Sequence, residues 1–318
     1  MTKIPNINSS LDNNKLSNII HDNYSEISKE YMTFITQWLI DGNKVFNDND
    51  MFYILVYLFN KNLEFYNNNL VIFDYETFNN TDTFQVNKIN IIDISKKLYI
   101  PKETVRRKIV ELEKKRIIKR RKKNIEINKN NLNLFDIKSS IKDLSNLLII
   151  VYNICLKTKL IDKEVSKEEI ILTINKNFSF VMFQYFEFII PWIIRWKNFF
   201  NNDIEQCLIW SVIVLNKSVK LKKINNNLNV EYWRSEIGEL PGQGINTMSL
   251  SDVCGIPRPT VSRKIKKLLN KKIIFIDQNK LIHPILHHHK NEVAELQDIT
   301  LDSFSKFSSI LFNLIVFK

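Results

Sequence analysis

The sequence predicts a mainly α protein with small β hairpins. It is built from two tandem copies of one helix–turn–helix–hairpin unit, joined by a helical linker. Three observations carry this. Residues 90–118 align without a gap on residues 246–274 at a constant offset of 156, with 13 of 29 positions identical, and Ile100–Ile109 and Ile256–Ile265 share the pattern I-P-x-x-T-V-x-R-K-I. An internal repeat constrains architecture before any other signal. Apolar residues Val105, Ile109 and Leu112 recur at i, i+4 and i+7, as do Val261, Ile265 and Leu268, the spacing of a helix with one buried face. The third observation is charge. Residues 88–130 carry 16 Lys/Arg against 5 Asp/Glu and residues 258–290 carry 9 against 1, although the chain as a whole is only +12. The basic character belongs to the repeated units, which points to a polyanionic partner.

A chain of 318 residues with 44% apolar content can bury two cores. The expected division is an N-terminal tail (1–23), a first unit (24–130), a helical linker (131–180), a second unit (181–290) and a C-terminal helix (291–318). The repeat continues upstream of the motif. Ile35–Lys61 resembles Ile189–Lys217, with Trp38 facing Trp192, Asn60-Lys61 facing Asn216-Lys217, and a two-residue difference in between. In each copy one helix should end near Asn47 or Asn201, and a second should begin near Asp50 or Asp203. About 30 looser residues follow, rich in Asn, Gly and aromatics, and read as loop with short strands. Pro241–Gly244 reads as a turn.

Within the motif, Asp93 or Ser249 is the expected N-cap of a short helix ending near Leu98 or Cys254. A turn at Tyr99-Ile100 or Gly255-Ile256 follows, where Gly255 suits a left-handed backbone. Pro101 or Pro257 opens the next helix, and Pro259 is tolerated because it lies in the first turn. Positions 103, 106 and 107, and their counterparts 262 and 263, point away from the buried face. After this helix each copy offers two short strands around a tight polar turn. Ser139–Lys159 reads as an amphipathic connecting helix. The last 18 residues read as a terminal helix whose apolar stripe either covers its own core or meets a second copy in a homodimer.

A helix–turn–helix followed by a two-stranded wing resembles the winged helix-turn-helix of bacterial transcription regulators. In the MarR and cyclic-AMP-receptor families, T-V-S-R lies on the recognition helix. Thr104–Arg107 (T-V-R-R) and Thr260–Arg263 (T-V-S-R) match it, over about 40 residues per copy. The resemblance implies double-stranded DNA as partner, with the second helix of each motif in the major groove. Arg107 and Arg263 then stand at equivalent positions to read guanine, with Lys102, Glu103, Arg106, Arg258, Ser262 and Lys264 beside them. Thr104 and Thr260 suit phosphates at the helix N-termini. Lys119 and the adjoining Arg120, Arg121, Lys122 and Lys123 form a cationic wing tip. In the receptor family the residue matching Glu103 helps read the operator, and Pro259 replaces it in the second copy. The resulting expectation is one chain acting as a pseudo-dimer on an asymmetric site. Two other readings remain open: a plasmid- or phage-type replication initiator with tandem winged helices, and a winged-helix scaffold of a chromosome-associated complex.

The remaining signals narrow the class. Cys155, Cys207 and Cys254 are widely spaced without C-x-x-C, as in a reducing, cytoplasmic setting. The N-terminus has no apolar signal core, so secretion is not expected. Val181–Phe200 is apolar but interrupted by Gln184, Glu187, Pro191 and Arg195, which favours a buried helix over a membrane span. His283 and His287–His289 lack ligand spacing, so no metal is expected. No catalytic motif or cofactor loop stands out, and the chain is not expected to be an enzyme.

Overall fold

The computed structural model describes residues 11–132, 137–224, 228–239 and 244–316. It is mainly helical, with two small antiparallel sheets. The first half runs α1 (Asn13–Asp22), α2 (Tyr24–Phe46), α3 (Asn49–Asn68), α4 (Tyr75–Asn80), β1 (Thr83–Val86), α5 (Ile91–Leu98), α6 (Lys102–Lys114), β2 (Ile118–Arg121), β3 (Asn124–Asn128) and α7 (Ile137–Lys157). The second runs α8 (Lys167–Lys176), α9 (Phe178–Phe199), α10 (Ile204–Ile224), α11 (Val230–Glu239), α12 (Thr247–Cys254), α13 (Arg258–Asn270), β4 (Ile274–Ile276), β5 (Ile282–Pro284) and α14 (Lys290–Val316). The halves match in order, α1 with α8 through to α7 with α14. Among the described residues, a bridge between Ile245 and Ile282 stands in place of the β1 pairing, and β4 and β5 are shorter than β2 and β3.

The halves are interlocked. Helix α2 packs on α10 and α9 packs on α3; likewise α1 packs on α14 and α8 on α7. Exchanging the two halves reproduces these contacts, as in a two-fold dimer. Aromatic pairs repeat the exchange: Tyr24 meets Trp233 at 5.0 Å, and their counterparts Phe178 and Phe78 meet at 4.7 Å. One continuous apolar cluster therefore runs through both copies. The expected tail and linker need revision. Residues 13–22 form α1, capped by Asp12, with Leu16 and Ile20 buried. Helix α7 is the counterpart of α14 rather than a linker, and the junction of the halves is the stretch 158–166. The apolar stripe of α14 (Leu301, Phe304, Leu311, Phe312) is buried within this chain.

Local chemistry accounts for the boundaries. Asp48 caps α3 by accepting from the Met51 N–H at 3.0 Å, and Asp203 accepts from Gln206 N–H at 3.3 Å before α10. These caps bring α3 and α10 into step at an offset of 155, so Asn60 corresponds to Leu215 rather than to Asn216. The burial pattern agrees: Asn62 and Leu63 are buried, as are Lys217 and Ser218. The stretches expected to be looser contain α4, β1 and α11. Asp74 caps α4 through the Thr77 N–H, and Asn229 caps α11 through the Tyr232 N–H. Most of the turn expected at Pro241–Gly244 lies outside the described residues. In the first sheet the order is β1-β3-β2, with Ile127 facing Phe84 and Ile118.

Three helical segments, Ile137–Lys157, Phe178–Phe199 and His287–Val316, are long and apolar enough to cross a membrane by length and composition. Within this fold, 50%, 50% and 61% of their apolar stretches are buried against the rest of the chain. Among the polar residues of α9, Glu187 accepts from the Asn60 amide at 2.8 Å and Lys197 pairs with Asp50 at 3.1 Å, whereas Nε and Nη2 of Arg195 are buried without a hydrogen-bond partner among the described residues.

The first helix of each motif ends in a left-handed residue, Tyr99 (φ 52°) and Gly255 (φ 66°). An L side chain with a Cβ is strained there by about 1–2 kcal/mol, and glycine is not. Substitutions at these matched positions should act in opposite directions. Tyr99→Gly should raise the urea midpoint by about 1 kcal/mol equivalent, and Gly255→Val should lower it by at least as much.

Candidate nucleic-acid interface

The motif in each copy is held by the same backbone contacts. Asn90 and Asn246, rather than the expected Asp93 and Ser249, are the N-caps of α5 and α12. Their side chains accept from the Asp93 N–H at 3.0 Å and the Ser249 N–H at 2.8 Å. The sequence favours two cap residues three apart, and the earlier one holds the extended backbone a cap requires. Ser95 and Ser251 each donate to the carbonyl oxygen across the turn, of Ile100 and Ile256, at 2.7 Å. Ile100 and Ile256 are buried, which fixes the angle between the two helices. Pro101 and Pro257 then stand at the N-caps of α6 and α13.

Val105, Ile109 and Leu112 are buried on α6, and Val261, Ile265 and Leu268 on α13. The opposite faces carry the candidate residues. Lys102, Glu103, Arg106 and Arg107 are exposed on α6; Arg258, Ser262 and Arg263 are exposed on α13; Thr104 and Thr260 are half-buried in the first turns. Arg106 is engaged by Glu103 at 2.8 Å, one turn away. Arg107 and Arg263 have no ion-pair partner among the described residues.

Lys264 does not belong to this face. It is buried, and its ammonium lies 2.7 and 2.6 Å from the two Asp203 carboxylate oxygens and 2.7 Å from Glu205. Lys108 does the same in the first half, reaching Asp48 at 2.5 Å and Glu111 at 3.0 Å. This repeated clasp ties the second motif helix to the N-cap of the long helix behind it. Burial opposes the charge on Asp203, yet the bonds from Lys264 and Gln206 hold its carboxyl below the usual range. Burial likewise opposes the charge of Lys264, and its bonds to Asp203 and Glu205 outweigh that and raise its pKa.

The first wing is less uniformly free than its sequence. Arg120 pairs with Glu113 at 2.5 Å, and that bond holds the Glu113 carboxyl low. Arg121 lies 3.7 Å from Glu126. Lys119, Lys122 and Lys123 are exposed without such a partner among the described residues, and Lys122 (φ 58°) makes the turn. The second wing is built around Asp277. Its carboxylate accepts from the Leu281 N–H at 2.8 Å and lies 3.0 Å from His283 Nε2; the Leu281 bond does most to lower its pKa. His283 is buried and stacked on Phe275. His287–His289 form a single 3₁₀ turn. Among the described residues no group of three His, Cys, Asp or Glu could hold a metal ion.

Two features were not singled out from sequence. Lys96 and Lys97, in the last turn of α5, are exposed beside α6, and only the segment charge signalled them. Asp48 and Asp203 position both motif helices, and their recurrence ahead of each long helix is the available clue. The three cysteines are buried, and burial pushes each thiol up to about 12. The interface can therefore hold anions through cations and helix N-termini, while these thiols are not poised as nucleophiles. Compared with known proteins, the chain matches no family model, no curated protein and no solved structure.

The clasp has a defined pH window. The depressed Asp203 contributes stability that is present above its unfolded value of 3.8 and is lost as pH falls through its folded value. The raised Lys264 contributes fully below its unfolded value of 10.5 and loses that contribution as pH rises through its folded value. Lys264→Met should therefore destabilise the protein by about 3 kcal/mol at neutral pH. The deficit should shrink below pH 3.8, read by denaturant unfolding across pH.

Proposed function

We propose that this chain is a cytoplasmic, sequence-specific double-stranded DNA-binding transcription regulator. Each half would act as a winged helix-turn-helix, and the two together as a covalent pseudo-dimer. One observation carries the reading: Arg107 and Arg263 occupy equivalent, exposed positions on α6 and α13, without an ion-pair partner among the described residues, in halves that are interlocked like the subunits of a dimer. An exposed helix of this size fits the major groove, where an arginine can bond guanine O6 and N7 together. Thr104 and Thr260 lie where helix N-termini favour phosphate. Lys119, Lys122 and Lys123 add phosphate or minor-groove contact on one side only.

The asymmetry defines the expected site. The first wing offers lysines without an ion-pair partner among the described residues, whereas the second offers Asp277 and one lysine, Lys280. On α6, Glu103 and Arg106 can part from each other to read bases; the second copy has Pro259 in place of that Glu. The two half-sites should therefore differ in sequence and in phosphate grip, with the first half holding the backbone more strongly.

Purified protein mixed with fragmented DNA of its own genome, near physiological salt, should retain a few fragments lying upstream of genes. Enrichment of direct repeats at a replication origin would replace the regulator with an initiator. No enrichment would point to a scaffold. On the retained site, Arg107→Ala should cost about 1–3 kcal/mol and relax preference at one base pair. Replacing Lys122 and Lys123 should weaken binding to all sequences alike and flatten the salt dependence. An Arg107→Ala protein with unaltered preference would contradict the assignment.

A further inference from the structure

A cavity of about 460 Å³ lies behind the first motif, between α3, α4, α9 and the start of α7. Its walls are largely apolar, with Leu55, Val56 and Phe59 from α3, Phe78 from α4, Tyr185 from α9 and Ile141 from α7. The internal repeat provides a comparison within the same chain. The offsets that match the helices carry Leu55 and Val56 onto Trp210 and Ser211, Tyr185 onto Tyr31, and Ile141 onto Gln297. All four counterparts line a second cavity, and that one measures only about 40 Å³.

The two cavities are thus the same place in the two halves, one open and one closed. Indole rings close the second. Trp210 stands where the first half has Leu55, and Trp196, stacked on it at 5.3 Å, stands where the first half has Gly42. Trp233 packs on Tyr24 as Phe78 packs on Phe178. The fold itself therefore does not require the void. Empty apolar space of this size forfeits packing and is uncommon in protein interiors. Its volume falls within the roughly 300–1,000 Å³ range of small-molecule sites.

Polar groups also line it. Lys129 and Lys138 stand there with Asn79 and Asn130. Lys129 Nζ donates to the Phe78 carbonyl at 2.9 Å and to the Asn79 carbonyl, which fixes the ammonium in place. An ammonium has three donors, so one remains for a ligand. Burial lowers the Lys129 pKa, so a bound anion would strengthen its charged form.

We propose that this cavity binds one small amphipathic carboxylate, its alkyl or aryl body among the α3 and α9 side chains and its carboxylate at Lys129 and Lys138. The proposal does not depend on the DNA-binding reading, since binding is measured directly. Full-length protein would be titrated calorimetrically with decanoate below its micelle concentration, and with decylamine and decanol as charge-reversed and neutral counterparts. Decanoate should bind at one site per chain, at least about tenfold more tightly than decylamine. Leu55→Trp, which installs the residue of the closed half, should weaken decanoate at least about tenfold while unfolding stays cooperative. Lys129→Met should erase most of the preference for decanoate over decanol and leave decanol affinity unchanged. Three results would overturn the proposal: no saturable decanoate binding, equal affinity for decylamine, or a folded Leu55→Trp protein that binds as the parent does. Should Leu55→Trp fail to fold, an unchanged decanoate-to-decanol ratio in Lys129→Met would overturn it alone.

Discussion

The structure depends on the burial of α2 against α10 and of α9 against α3. Each of these long helices belongs to one copy of the repeat and has its most extensive packing against a helix of the other. On α2, Tyr24, Tyr31 and Phe34 meet Trp233, Phe304 and Tyr185 of the second copy, and would lose that cover if the second copy were removed. The same holds for Ile193 on α9, which lies with Tyr53 and Val56 of the first copy. Neither half can close its core alone, so the two basic motif helices are held on a single body rather than on two tethered domains. That constraint gives the proposed pseudo-dimer its fixed geometry without a second chain.

On this symmetric frame the two halves have diverged in their details. The turn residue is a strained tyrosine in one copy and an unstrained glycine in the other. The β2–β3 hairpin keeps Lys119, Lys122 and Lys123 without an ion-pair partner among the described residues, while in the β4–β5 hairpin Asp277 holds its own turn and a buried histidine. One half keeps a cavity that tryptophans fill in the other. The clasp of Lys108 on Asp48 and of Lys264 on Asp203 is preserved in both. The parts that place the motif helix are thus duplicated, while the turn, the hairpin tips and the cavity differ between the copies.

Much of the local structure was legible because the determining residues are close in sequence. Pro101 and Pro257 mark the start of α6 and α13, and the i, i+4, i+7 spacing names their buried faces. The cap at Asn90 was misread as Asp93 because both residues have capping side chains and only backbone geometry separates them. Lys264 looked like part of a cationic surface because its neighbours are basic. Its partner Asp203 is 61 residues away and becomes visible only when α10 is packed behind α13. The interlocking was hidden for a similar reason: an apolar stripe shows that a helix is buried, but not against which helix. Residues 13–22 were read as a tail because Asn and Lys dilute a stripe that holds only Leu16 and Ile20 as fully buried residues.

Footprinting by hydroxyl radicals on a retained genomic site, with the number of chains per site counted in parallel, tests the central claim most directly. The account predicts one chain per site and two protected half-sites of different sequence, their centres about one helical turn of DNA or a small multiple apart. Protection of a single segment by one chain, or a need for two chains to protect two identical half-sites, would contradict it.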